Sequence, residues 1–222
     1  MVLRSAPSSR NREDLTLELA ATAARLIAED GCDYATAKRK AAQLVLGDAA
    51  GGRGRLPENE LVELELRRYL RTFGGERHAA LLAELRAVAL ALMEHLAPFN
   101  PHLVGAVLNG TATEHSVLHL HLFTDSAKDV EIFLLNDGIR FSVDEANEPA
   151  GALESIHLQV PRRLRAGLAS PVDAVLSVLP TDAVRVGSRF RSSDPSLSPI
   201  EQSGRAGLAA VRRLLAASGT GG

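Results

Sequence analysis

Two hydrophobic periods divide the chain: apolar positions recur at helical spacing up to about residue 97, and they alternate beyond Pro101. Leu15, Leu19, Ala23, Leu26 and Ile27 predict a first helix, with Asn11 as its N-cap and Gly31 as its stop. A second helix is expected from Asp33 to about Leu46, ending at Gly47. The segment from Asp48 to Asn59 holds three Gly and a Pro and reads as a loop. Leu61, Val62, Leu66, Tyr69 and Leu70 begin a third helix that stops before Gly74-Gly75. Leu81, Leu85, Val88, Leu92 and Leu96 then form one continuous stripe, closed by Pro98.

In the second half, Leu103 to Leu108 reads as a buried strand running into Asn109-Gly110. From Val117 to Phe123 the alternation points Leu118, Leu120 and Leu122 one way, and His119, His121 and Phe123 the other. Ser126 and Asp129 have the spacing of a capping box, opening a helix with Val130, Phe133 and Leu134 that ends at Gly138. Ile139, Phe141 and Val143 alternate, as do Ile156, Leu158 and Val160, and then Val172, Ala174, Leu176 and Val178. This order predicts an α+β protein: a helical N-terminal region over residues 1–97, then a mixed β-sheet core with flanking helices over 98–191. Residues 192–222 read as a Ser/Pro-rich linker, a short helix with Leu208, Val211, Leu214 and Leu215, and a disordered tail from Ser218.

Composition removes several classes of function. The single Cys32 excludes a disulfide framework and a thiolate zinc cluster. The longest apolar run, Ala87 to Met93, is far short of a membrane span, and the N-terminus shows no apolar leader, so a cytoplasmic protein with no membrane partner is expected. With six Phe, two Tyr and no Trp, the chain has little to stack on bases. Its charge is also split, with nine acidic and two basic side chains over 98–160 and four acidic and nine basic over 161–222. A generic nucleic-acid coat is therefore not indicated.

The candidate chemistry lies in Val107-Leu108-Asn109-Gly110-Thr111 and in Ser116-Val117-Leu118-His119-Leu120-His121-Leu122. A glycine turn followed by a strand with polar side chains at i and i+2 resembles the nucleotidyltransferase superfamily that includes DNA polymerase beta. The stretch from Asn100 to Phe133-Leu-Leu-Asn is similar to a bacterial family of nucleotidyltransferase-domain proteins with a helical N-terminal region. In that superfamily a strand ends in Gly-Gly or Gly-Ser, the next carries Asp-x-Asp or Asp-x-Glu, and a later strand supplies a third carboxylate. The resemblance implies that Gly110, Thr111 and Ser116 cradle the phosphates of an NTP. It also implies that His119, His121 and Asp173 hold the divalent-metal positions, with Asp173 catalytic, and that a nucleoside monophosphate passes to an acceptor.

The substitution changes the chemistry at those positions. Two Asp bring negative charge that suits magnesium or manganese, whereas two His bring none at neutral pH and suit zinc or another transition metal. Activity is therefore expected to be impaired or lost while nucleotide binding is kept, as in a pseudoenzyme. Two other readings stand beside it. One is a regulatory or scaffold module whose helical N-terminal region binds a protein partner, and the other is a metal-binding protein using the pair His119 and His121. The basic cluster Arg162, Arg163 and Arg165 reads as a solvated loop. The phosphate loop of amide ligases needs Gly-Lys-Ser/Thr, and Ala112-Thr113-Glu114-His115-Ser116 stands in its place.

Overall fold

A computed structural model describes residues 9–47, 56–144, 151–165, 167–188 and 191–218. It divides into two compact units, residues 1–78 and 79–222. The first holds α1 (Ser9–Asp30), α2 (Tyr34–Leu46) and α3 (Asn59–Tyr69). The Asp33 carboxylate caps α2 by accepting from the Thr36 amide at 2.9 Å. α1 packs against both α2 and α3. Small side chains at Ala20, Ala23, Ala24, Ala37 and Ala41 let the helices approach, and Val62, Leu66 and Leu70 fill the core. The first helix runs through Asn11, so that residue does not cap it.

One expectation fails at the end of this unit. The third helix does end at the glycine pair, where one π turn (Leu70–Gly74) follows α3 and Gly75, at φ 49° and ψ −138°, breaks the helical path before α4 (Gly75–His95). A Cβ on Gly74 would lie 2.6 Å from that of His78, so the turn closes only because residue 74 has none. The expected boundary at residue 97 moves to 78. The α4 stripe of Leu85, Val88, Leu92 and Leu96 is buried in the core of the second unit, and an amphipathic helix belongs with whatever covers its apolar face.

The second unit is built on one mixed sheet of six strands. They are β1 (His102–Val104), β2 (Leu118–Phe123), β3 (Phe141–Val143), β4 (Glu154–Gln159), β5 (Asp173–Leu179) and β6 (Ala206–Gly207). The order across the sheet is β3-β4-β5-β2-β1-β6. Among the described residues only the β2–β5 pair is parallel. α5 (Ala106–Asn109) and α6 (Ala127–Asn136) follow β1 and β2, and α7 (Pro199–Gln202) and α8 (Leu208–Ser218) flank β6. Leu118, Leu120 and Leu122 have no exposed surface and share one core with α4, α5, α6 and α8. Each such leucine contributes about 1.5–3 kcal/mol by burial. Ser126 caps α6, its hydroxyl accepting from the Asp129 amide, while its own amide donates to Thr124 Oγ1, so only half of the expected capping box forms.

The expected strand over Leu103 to Leu108 is two elements, because the chain turns at Gly105 and makes a single helical turn. Val107 and Leu108 are buried either way, and a short run of buried residues has no period to betray the change. Nor is the segment from Ser192 a linker. The Ser192 amide bonds the Gln202 carbonyl and the Leu197 amide that of Asp194, Ser198 and Glu201 form a capping box, and Ala206, Val211 and Leu214 join the core. Residues 219–222, expected to be disordered, lie outside the described residues. Among the described residues no helix is long and apolar enough to cross a membrane.

Candidate functional site

Strand alternation places the candidate histidines on the sheet face opposite the helical core. Cross-strand register builds two rows there: His102, His121, Ser177 and Ser155 form one, and Val104, His119, Val175 and His157 the next. One end of this face is closed. Phe123 is buried, the His102 ring meets it edge-on at 5.1 Å, and the Arg205 guanidinium lies 5.0 Å above it. That guanidinium is fixed by the carbonyls of Ala183, Val184 and Val186. The other end is open, with His119 and Asp173 exposed.

Three imidazoles on this face, those of His102, His119 and His121, are held neutral. Burial is the largest cause at each, and it lowers the pKa of His121 to about 4, helped by the charge of Arg205 and then of His102 and His119. His119, whose side chain reaches the open end of the face, is lowered by the partial burial of its ring and then by His157. His102 is lowered by burial and Arg205, against the opposing bond to the Asn100 carbonyl. Beneath them, the buried Ser155 hydroxyl has no hydrogen-bond partner among the described residues. An unsatisfied hydroxyl of that kind costs about 1–3 kcal/mol unless a ligand or solvent completes it.

The residues expected to form the phosphate turn lie elsewhere. Gly110 is the C-cap of α5, and a Cβ there would face Leu82 and Glu201 on the core side. Thr111 is buried, and its hydroxyl bonds the Asn109 side chain at 2.7 Å. Ser116 closes a local turn by accepting from the Thr113 amide. The glycine that adjoins the histidine face is Gly105, where a Cβ would stand 3.7 Å from the His119 ring. Its φ of 72° and ψ of −155° favour glycine. A glycine inside an apolar run was the available signal for that break.

Asp173 begins β5 on the histidine face, two residues before Val175, the partner of His119, and its carboxylate accepts from the Gln159 side-chain amide at 3.5 Å. Asp125 is engaged, accepting from the Thr181 amide at 2.8 Å. The Arg162 to Arg165 cluster is partly structural: Arg163 pairs with Asp137, and Arg165 bonds the carbonyls of Val160, Ala169 and Ser170. Pattern alone also missed His102, His157 and Arg205, which reach this face from separate strands and from the turn before β6. The chain matches no protein-family model, and neither the curated proteins nor the solved structures contain a significant match to it. Among the described residues no group of three or more His, Cys, Asp or Glu is arranged to hold a metal ion.

Proposed function

We propose that the second unit is a nucleotidyltransferase-like core that binds a nucleotide and is impaired in transfer. The observation that carries this reading is the approach of Gly105 to His119. In the superfamily that the sequence resembles, a strand ends in glycine beside the strand that carries the paired carboxylates. Here β1 ends at Gly105, and the adjacent β2 presents His119 and His121 between Leu118, Leu120 and Leu122. Asp173, on the neighbouring strand and the same face, stands where a third carboxylate would be. A glycine at that turn leaves the backbone open to a triphosphate.

The donor set does not fit two magnesium ions. Magnesium takes hard oxygen ligands, and this face offers neutral imidazoles at His119 and His121 beside the exposed Asp173 carboxylate, a set too poor in oxygen to hold it. What these residues can do is bind. Each neutral imidazole has one N–H to give a phosphate oxygen, and Ser155 and Ser177 place hydroxyls in the row of His121. The nominal reaction of such a core moves a nucleoside monophosphate from an NTP to an acceptor. With imidazoles at the carboxylate positions, the nucleotide is held and not turned over, as suits a regulatory pseudoenzyme.

The test is thermal shift with each NTP, together with label transfer from α-phosphate-labelled NTPs by the wild type and by His119→Asp/His121→Asp. Nucleotide is expected to raise the melting temperature, because a ligand that binds only the native state stabilises it. The wild type is expected to transfer no label, and the double variant to gain transfer with magnesium or manganese. No response to any NTP overturns the reading in favour of a scaffold. Stabilisation by zinc alone, reversed by a chelator, overturns it in favour of a histidine metal site.

A further inference from the structure

We propose that the outer edge of the sheet at β3 pairs with the same edge of a second copy of this chain. β3 is the terminal strand of the sheet. The Asp144 amide donates to the Ser155 carbonyl, and the register sets Ser142 against His157. Antiparallel alternation therefore turns the backbone groups of Ser142 and Asp144 toward β4, and those of Phe141 and Val143 outward. A two-fold axis through Ser142 sets each Phe141 opposite Val143 of the second copy. Each of these two pairs exchanges both of its N–H···O=C bonds.

The same axis sets Arg140 opposite Asp144 of the second copy, so unlike charges meet twice across the junction. Asp144 also lies 4.0 Å from His157 within its own protomer, and a carboxylate accepts several donors. An axis through Phe141 is poorer. It sets Arg140 against Ser142, and it asks for the Ile139 amide, which already donates to the Leu134 carbonyl. The described edge carries no proline and no run of like charge, the usual guards against pairing.

The apolar surface beside this edge follows the same symmetry. Phe141 and Val143 pair with Leu158 and Ile156 and so share the helix-covered face. On α6, Ile132 and Leu135 are 55% and 63% exposed, and they lie on one side of the helix. Leu135 borders an open groove with Gly138, Ile139, Arg140 and Phe141. A two-fold axis perpendicular to the sheet keeps the helix-covered faces on one side, so α6 of each copy comes beside the other and covers this surface. Backbone pairs, an apolar strip and matched charges at the rim are what a homodimer interface requires.

Sedimentation equilibrium of the full chain over a concentration series tests this, and a dimer is expected. Arg140→Glu sets like charges opposite each other and is expected to weaken the dimer about tenfold, as is Asp144→Arg. The combined reversal, Arg140→Glu/Asp144→Arg, is expected to recover affinity to within about threefold. Val143→Pro removes an outward N–H but no bond to β4, so it should keep the circular dichroism spectrum while dissociating the dimer. A wild type that stays monomeric throughout, or a dimer indifferent to these variants, overturns the proposal.

Discussion

Arg86 on α4 meets Glu201 on α7 at 2.7 Å across 115 residues of chain, and both side chains are largely buried. The same guanidinium takes the carbonyls of Val107 and Leu108 at 3.0 and 2.9 Å. It therefore satisfies the end of α5 that no further helical turn completes. Glu201 in turn caps α7 through Ser198. One ion pair thus ties the turn after β1 to the segment that leads into β6.

Removing one partner is expected to be costly. Arg86→Met leaves Glu201 charged and unpaired and orphans two carbonyls, and about 3–5 kcal/mol should be lost in denaturant unfolding. The double variant Arg86→Met/Glu201→Gln should lose less than the two single losses combined. Burial pushes the Glu201 carboxyl up, but the bonds from Arg86 and Ser198 outweigh it and hold the group below its ordinary 4.5. The stability it contributes is thus complete above pH 4.5 and is lost as pH falls through the lower folded value.

His121 acts in a different pH window. Its folded pKa of about 4 lies below the ordinary 6.5, so the unfolded chain binds more protons between those values. Stability is complete above 6.5, declines as pH falls toward 4, and levels off below. The slope from this one group approaches about 1.4 kcal/mol per pH unit. Melting temperatures of the wild type and of His121→Gln between pH 7 and 4.5 check this, and the variant should show the flatter profile.

Arg205 adds to the burial that holds that imidazole neutral, and it shields Phe123 at the same time. Arg205→Ala should raise the His121 pKa toward 6.5, read by NMR titration of its ring protons. It should also destabilise the fold by about 1–3 kcal/mol through the lost carbonyl bonds. An unchanged titration would show that Arg205 does not govern this histidine.

Gly105 and Gly110 should respond unequally to alanine. Gly110 has φ 83° and ψ 14°, a left-handed cap that costs an alanine about 1 kcal/mol. Gly105 has the same sign of φ with ψ −155°, a region nearly closed to other residues, and about 2–3 kcal/mol is expected. The contact with His119 is ordinary van der Waals distance, so the difference is one of backbone strain. Equal losses by urea unfolding would contradict this.

Much of the fold was legible because it rests on local chemistry. The helix starts at Asp33 and Ser126 stand where the pattern predicts, since a short polar side chain just before a helix satisfies its free amides, although Asn11, expected to cap the first helix, lies inside α1. The sorting of Leu118, Leu120 and Leu122 from His119 and His121 follows from the two-residue repeat of a strand. The candidate site was legible only along β2. Gly110 was placed at the turn beside the histidines because both glycines close an apolar run, and only the direction of the chain after Val104 separates them.

By itself, then, the sequence determined the long helices, the alternating strands and which side of β2 is polar, because each depends on neighbours within a few residues, while the short turns α5 and α7 carried no such period. Tertiary structure decided that α4 joins the second unit, that Arg86 is buried against backbone carbonyls, and that His102, His157 and Arg205 gather around the β2 pair. Those outcomes depend on strands and turns distant in sequence lying at bonding distance. No periodicity records that adjacency, because it is set by strand register and by which surfaces bury one another.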